Sequence, residues 1–272
     1  MNLRSDSDVT LAAFMRDALE NRGLSRKTII DVIPCAAADI FRYDDQTSIS
    51  QTQLIRDTKA VVRSSTAPPK QKLPITKDML TKMVSRCTPS EASIRNTFMV
   101  IIMFLAFLRE DELVNLRFND IWVENLREAN HPVLFIYIEK SKNDQARFGH
   151  TVVVEADPLS PICPVKWFML HLRVRRSSTH IFHSSRVSAS KLSSTRPNGI
   201  LKSLLTLIGI DPTPYGSHSL RRGGVTAASP SVRTHILKRH GNWRSNAIYT
   251  YINDSVATKL SVGRAILNSV SY

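Results

Sequence analysis

The chain has 272 residues, enough to bury a sizeable core and to hold two domains. Its apolar content of 42% and charged content of 22% are ordinary for a globular protein, and its longest apolar run, residues 98–108, is too short to span a bilayer. The net charge of +14 lies entirely in residues 160–272, which hold 16 Lys or Arg against Asp211 and Asp254. This excess favours a phosphate-rich partner such as a nucleic acid, with a solvated basic surface as the alternative.

The cysteines argue against both a disulfide framework and a zinc site. Cys35, Cys87 and Cys163 are widely spaced, odd in number and outside any CxxC or Cys/His pattern. We therefore expect a reducing compartment and no metal. The N-terminal residues do not have the pattern of a signal peptide, so the expected location is the nucleus of a eukaryotic cell, or otherwise the cytoplasm, without secretion.

Residues 1–65 predict a small helical domain followed by a linker. Apolar residues recur at helical spacing over Val9–Arg22, and Gly23 ends that helix. A second helix is predicted from Ser25 through Ile33, with Pro34 as its stop. Residues 66–73 lie in the stretch SSTAPPKQKLP, whose prolines and small polar residues predict an extended, semi-rigid linker. A larger domain, residues 74–272, would follow.

Residues 90–156 predict a buried helix and then a β-hairpin. Ser90 favours a helix N-terminus, and residues 98–108 are apolar nearly all round, which is typical of a core helix. The runs VLFIYI from Val133 and VVV from Val152 are rich in strand-forming residues, and a polar turn separates them. Arg109 comes at the predicted helix end, where a surface charge would be the simplest interpretation. Further helices are predicted over residues 161–176, 200–207 and 256–270.

Residues 217–252 concentrate basic and aromatic side chains. His218 and Arg221 lie three residues apart and so share one face of a helix. Gly223-Gly224 would allow another backbone or DNA to approach closely. A short helix starting at Ser245 would carry Tyr249 and Tyr251, which point to different sides because they are two residues apart. At most one of these tyrosines can therefore face Arg221.

Three sequence boxes in this segment carry a family resemblance. His218-Ser-Leu-Arg221, Gly241-Asn-Trp243 and Tyr251-Ile resemble, in that order, the catalytic end of the tyrosine recombinases, the phage-integrase family. The phrases HSLRRGG, KRHGNWRS and YINDS look most like recombinases of eukaryotic Crypton and DIRS mobile elements. The resemblance covers residues 74–258 well and residues 1–65 loosely. It implies a mainly helical α+β fold with a small β-hairpin sheet, in which a core-binding-like DNA-binding domain precedes the catalytic domain.

The resemblance also implies a set of site residues. Arg109 and Arg221 would clamp the phosphate, with Glu112 and Asp120 supporting Arg109, and a lysine of the hairpin turn would be the acid. Trp243 stands where the family more commonly has histidine, and the gap from Trp243 to the tyrosine is one residue shorter than usual. The implied catalytic residues are Arg109, Lys142, His218, Arg221, Trp243 and the nucleophile Tyr251, with Tyr249 as second choice. The implied DNA-binding residues are Lys140, Arg222, Arg239, His240 and Arg244. His240 could also cap or pack beside the site, and Lys140 is the second choice for the hairpin acid.

The function implied by the resemblance is site-specific recombination of DNA. Such a protein cuts and rejoins double-stranded DNA through a covalent 3′-phosphotyrosine, without metal or cofactor, in DNA integration or mobile-element transposition. The implied assembly is a homo-tetramer on DNA, linked through an apolar stripe in residues 256–267. The alternatives are a catalytically inactive, recombinase-derived DNA-binding protein and a type IB topoisomerase relative that nicks and reseals DNA.

Overall fold

The computed structural model describes residues 3–25, 27–40, 52–65, 71–139, 149–175, 178–184, 190–243 and 245–252, together with residues 256, 260, 261 and 264. The chain divides into two compact units, Met1–Gln71 and Lys72–Tyr272. The division falls within residues 66–73, the segment that the sequence predicts to be a linker. Within the described residues, no helix is both long and apolar enough to cross a membrane.

The first unit is helical and has its own core. Its elements are α1 (Leu3–Glu20), a π-helical turn (Thr28–Val32), α2 (Ile33–Ile40) and α3 (Gln53–Ser65). The core is formed by buried side chains that include Met15, Ile29 and Ile55. The predicted stop at Pro34 is wrong, because Pro34 is the second residue of α2. The π-helical turn runs directly into α2, because Ile33 donates its N–H to the Thr28 carbonyl. An irregular turn of this kind is a place where a helix can hold a residue without an N–H.

The second unit is mostly helical with a small antiparallel sheet, as the sequence predicts. Its helices are α4 (Lys77–Ser85), α5 (Glu91–Leu105), α6 (Glu110–Asn115), α7 (Pro164–Val174), α8 (Arg196–Leu207), α9 (His218–Ala228) and α10 (Thr234–His240). The unit also has two 3-10 turns, Phe118–Asp120 and Asn246–Thr250, and the described residues 256, 260, 261 and 264 are helical. The strands are β1 (Ile121–Glu124), β2 (Val133–Ile138) and β3 (His150–Glu155).

The sheet has the order β1-β2-β3, with each pair antiparallel. The hairpin of β2 and β3 is confirmed, but the sequence analysis did not predict β1. Its four residues directly follow a 3-10 turn and are too few to show a strand's alternating pattern. Leu134 and Ile136 of β2 are fully buried in the core of the unit, whereas Trp122, Phe135 and Val153 form a cross-strand row on the opposite face.

The core helix α5 begins at a serine cap and ends beside the site. Ser90 caps its start by accepting a hydrogen bond from the backbone N–H of Ser93 at 3.2 Å, as predicted. The helix ends at Leu105, three residues earlier than the predicted run, because Phe107 has a positive φ of 53° and turns the chain. α9 packs directly on this region, since a Cβ atom at Gly223 or Gly224 would overlap neighbouring backbone oxygens. The glycine pair therefore lets the helix that carries Arg221 lie against the end of α5.

Candidate active site

Arg221 is the buried centre of the site. It lies in the first turn of α9, and only 1% of it is exposed. Its Nη1 donates to the carbonyl of Phe107, and its Nη2 donates to the carbonyl of Gly241 at 2.6 Å. The guanidinium carbon lies 3.8 Å from the ring centre of Trp243, a cation–π contact. Burial lowers the Arg221 pKa to about 10, and the nearby charge of Arg109 acts in the same direction. The side chain therefore remains a cation at neutral pH.

Arg109 and Arg221 share one buried carboxylate. Arg109 is the N-cap residue of α6, and its backbone N–H donates to Glu112 Oε2 at 2.8 Å. Its Nη1 donates to Glu112 Oε1 at 2.6 Å, and Glu112 Oε2 also lies 3.8 Å from Arg221 Nη1. Glu112 therefore supports Arg109, as the sequence predicts. Asp120, the other predicted support, has a different place: it accepts the backbone N–H of Arg117 and closes the 3-10 turn that precedes β1.

Tyr251 is the tyrosine that faces Arg221. Its ring lies 5.4 Å from that of Trp243 and 6.5 Å from that of His218, and the Arg221 guanidinium carbon lies 5.8 Å from it. The Tyr251 carbonyl also accepts a hydrogen bond from Thr226 on α9 at 3.1 Å. By contrast, Tyr249 is 59% exposed. The two tyrosines therefore point to different sides, as expected from their spacing.

Ser245 starts the segment that carries both tyrosines. Its hydroxyl accepts the backbone N–H of Ala247 at 3.3 Å, which confirms Ser245 as the predicted N-cap. The element it begins is a 3-10 helix, Asn246–Thr250, rather than an α-helix. Tyr251 is the C-cap residue of this turn, so its side chain is placed by a tight local structure and by the contact with Thr226.

Two non-glycine residues with positive φ shape the backbone around Arg221. Phe107 has φ 53° and directs its carbonyl at Arg221, while Asn242 has φ 51° and separates Gly241 from Trp243. The Asn242 amide nitrogen lies 3.2 Å from His150 Nδ1, at the start of β3. Sequence reasoning missed Phe107, since phenylalanine gives no signal for a left-handed conformation. Asparagine tolerates that conformation, so Asn242 after Gly241 was a signal that could have been used.

Sequence similarity to known proteins covers part of the chain. No family model matches the chain. An integrase/recombinase xerD homolog from Selenomonas ruminantium is 25% identical over 146 residues, which cover 51% of this chain and 40% of that protein. The match thus spans two-fifths of the relative's length.

Solved structures resemble nearly the whole chain. The XerH site-specific recombinase bound to a palindromic difH substrate has a TM-score of 0.63 at 15% identity, covering 96% of this chain and 72% of that one. The Tn1549 transposon integrase in complex with circular intermediate DNA has a TM-score of 0.62 at 13% identity, covering 96% of this chain and 86% of that one. A lambda integrase dimer bound to a COC′ core site has a TM-score of 0.60 at 15% identity, covering 91% of this chain and 64% of that one.

The chain has the tyrosine recombinase fold. The xerD homolog is similar in sequence to about half of the chain, which agrees with this fold. The site residues lie on elements of the second unit: α6 begins beside Arg109, α9 carries His218 and Arg221, and Tyr251 caps the final 3-10 turn.

The remaining predicted site residues of this recombinase-like domain differ in exposure. Lys140, Lys142 and Arg244 lie outside the described residues. Arg222 is half-buried and donates from Nη1 to the carbonyl of Lys72 at 3.1 Å. Arg239 is exposed at the end of α10, where its charge faces solvent. His240 is half-buried, with Nε2 2.9 Å from the carbonyl of Leu105. Burial and the charge of Arg221 lower the pKa of His240, which favours its neutral ring.

Together these side chains offer the donors and the nucleophile of phosphodiester chemistry. Two guanidinium groups lie beside a phenol, an indole and the exposed imidazole of His218. The buried Nε of Arg221 has no hydrogen-bond partner among the described residues. These residues contain no cluster of three or more His, Cys, Asp or Glu side chains that could hold a metal ion.

Proposed function

We propose that this chain is a site-specific tyrosine recombinase or integrase, which cuts and rejoins DNA through a covalent 3′-phosphotyrosine intermediate. The observation that carries this proposal is the meeting of Tyr251 with Arg221, Trp243 and His218, with Arg109 joined to Arg221 through Glu112. These residues come from separate elements of the second unit. DNA-bound recombinases and integrases among the structural neighbours add support.

In the proposed reaction the phenol oxygen of Tyr251 attacks the phosphorus of one strand. The bond from phosphorus to the 5′ oxygen breaks, which leaves a 3′-phosphotyrosine and a free 5′ hydroxyl. Arg109 and Arg221 neutralise the non-bridging oxygens as charge develops on them. His218 accepts the phenolic proton, and Lys142 protonates the leaving oxygen. The role of Lys142 rests on the family resemblance alone.

The proposed substrate is double-stranded DNA, and the proposed role is DNA integration or transposition of a mobile element. The +14 charge of the C-terminal part supports a phosphate-rich partner. The phrases around His218, Trp243 and Tyr251 favour recombinases of the Crypton and DIRS type, which would work in the nucleus. Residues 1–65 would be the core-binding-like domain, residues 66–73 the linker and residues 74–272 the catalytic domain.

The proposed assembly is a homo-tetramer on DNA. Exchange between two duplexes needs four strand cuts, and each chain supplies one nucleophile. Val256 and Leu260, beyond the tyrosine turn, expose apolar side chains. The same unit has a mostly apolar cleft of about 560 Å³, lined by residues that include Phe104, Val232 and Leu237. In the proposed tetramer, residues 256–267 of a second copy occupy this cleft.

Trapping on a suicide DNA substrate tests the function. A nick close to the cleavage point releases a short fragment after attack, so the reverse reaction is lost and the covalent adduct accumulates. We expect an adduct whose linked peptide contains Tyr251, without added metal or nucleotide. If no adduct forms on any strand of a DNA that the protein binds, the proposed chemistry is wrong.

The enclosure of Arg221 favours one second candidate, a catalytically inactive DNA-binding protein derived from a recombinase. A guanidinium that is 1% exposed beneath Trp243 reaches a phosphate only if the Trp243 or Tyr251 side chain shifts. In an inactive protein Arg221 would serve the fold alone. Specific binding of the folded protein to DNA without adduct formation would establish this candidate.

A further inference from the structure

The position of the Arg221 guanidinium depends on two separate pieces of backbone. One hydrogen bond goes to the Phe107 carbonyl, in the turn after α5, and the other goes to the Gly241 carbonyl, directly after α10. The two acceptors are far apart in the sequence, so their separation is not determined by local geometry. Whatever holds these two segments together therefore also determines where the guanidinium lies.

His240 makes that connection directly. It precedes Gly241, and its Nε2 lies 2.9 Å from the carbonyl of Leu105. Its ring also packs edge-on against Phe107, with ring centres 4.7 Å apart. The Leu105 carbonyl is the last of α5, and carbonyls at a helix end lack intrahelical donors. The turn at Phe107, with φ 53°, takes the following backbone away from the helix, and His240 supplies a donor from Nε2.

We propose that His240 is a positioning residue for Arg221. By joining α10 to the end of α5, it sets the distance between the two carbonyls that hold the guanidinium, and thereby the place of Arg221 at the scissile phosphate. In this role His240 acts through Arg221 and does not contact DNA. The proposal rests on the proposed recombinase function for its catalytic consequence, while the geometric part stands by itself.

The first test compares two substitutions at this position. His240→Leu keeps an apolar side chain but removes the donor, whereas His240→Gln retains an N–H that can reach the Leu105 carbonyl. Because a displacement of about 1 Å at a reacting group can cost ~100-fold in rate, we expect His240→Leu to slow single-turnover adduct formation by that order. DNA affinity should be nearly unchanged, and His240→Gln should recover much of the rate. His235→Gln, an exposed position on the same helix, is the matched control.

A double-mutant cycle tests whether the effect passes through Arg221. If it does, His240→Leu should add little to the loss caused by Arg221→Lys, because the group it positions is already gone. Independent, additive losses in the double variant would overturn the proposal. A wild-type cleavage rate in folded His240→Leu would overturn it as well.

A readout without DNA separates this inference from the proposed function. In protein labelled with ¹⁵N-arginine, the two carbonyl bonds should slow rotation of the Arg221 guanidinium, giving resolved Nη signals that disappear in Arg221→Lys. His240→Leu should merge these signals. Phe107→Leu removes the ring contacts with His240 and Trp243 but keeps the His240 hydrogen bond. It should merge the signals less completely, and it serves as the test variant if His240→Leu does not fold. Unchanged signals in the folded variants would refute the positioning role even if the wild-type protein cleaves DNA. A wild-type protein that does not cleave DNA would contradict the proposed function but would not refute the positioning role.

Discussion

Acid should destabilise the second unit through one buried histidine. His171 lies on α7 with 0% exposure, and its ring centre lies 5.6 Å from that of Phe98 and 5.8 Å from that of Phe182. Its Nε2 lies 3.0 Å from the carbonyl of Ile181, and its buried Nδ1 has no hydrogen-bond partner among the described residues. Burial is the main cause that lowers its pKa from 6.5 to about 4, and the charges of His183, Arg175 and Arg95 act in the same direction.

The size and sign of the effect follow from this pKa. The unfolded chain binds a proton at His171 near pH 6.5, while the folded chain resists it until about pH 4. The contribution to stability is therefore fully present above pH 6.5 and is lost as the pH falls through 4. At ~1.36 kcal/mol per pKa unit, the loss is about 3 kcal/mol. This is a large share of the 5–15 kcal/mol that is typical for stability.

The variant His171→Phe isolates this contribution. It keeps the aromatic stack but cannot titrate, and it leaves the Ile181 carbonyl without its donor, at a cost of about 1–3 kcal/mol. We expect the variant to be less stable than the wild type at pH 7 and equal or more stable near pH 4. Urea unfolding followed by tryptophan fluorescence measures this, since all three tryptophans, Trp122, Trp167 and Trp243, lie in the second unit. If the difference in free energy of unfolding between variant and wild type is the same at pH 7 and pH 4, the reasoning is refuted. His235→Gln is the control for removal of a histidine.

Three further predictions concern the proposed reaction. Tyr251→Phe should keep duplex affinity and lose the covalent adduct, while Tyr249→Phe keeps both; the reverse result in a trapping gel would exchange their roles. Arg109→Lys and Arg221→Lys should each lower cleavage by ~10²–10³-fold because a lysine lacks the planar fork, and an equal loss of affinity in gel shifts would indicate a structural role. Deleting residues 256–272 should leave single-site binding intact and abolish the larger complex on a two-site DNA; an undiminished tetramer in sedimentation would contradict the assembly.

The fold was predictable where a local signal was strong. Ser90 and Ser245 are N-caps in the structure because short hydroxyl side chains accept the first free N–H groups of a helix. The strand β2 has the bounds that its β-branched and aromatic run predicts. The stop at Pro34 failed because a π-helical turn directly precedes the proline and the helical backbone continues through it. β1 was missed because four residues are too short a pattern.

The meeting of Tyr251 with Arg221 and the support of Arg109 by Glu112 were predictable, whereas the backbone links around Arg221 were not. The boxes around His218, Trp243 and Tyr251 resemble a family motif, and the spacing of the two tyrosines predicts that only one faces Arg221. The links through Phe107 and Asn242 depend on left-handed backbone, which is set by packing in the folded chain. No periodicity or composition signal marks such contacts between residues that are distant in the sequence.

The burial of Arg221 connects stability with the proposed chemistry. A buried cation costs several kcal/mol unless its surroundings replace water, and here two carbonyls, the Glu112 carboxylate and the Trp243 ring provide that replacement. The same contacts orient the guanidinium before any substrate arrives, so the movement that the reaction requires is a shift of the Trp243 or Tyr251 side chain. A lysine at position 221 would satisfy at most part of this set, because its single ammonium group cannot reach both carbonyls in one plane. The arginine is thus required by the backbone around it as much as by a phosphate. For this reason a cleavage defect at Arg221 is interpretable only beside a measurement of folding.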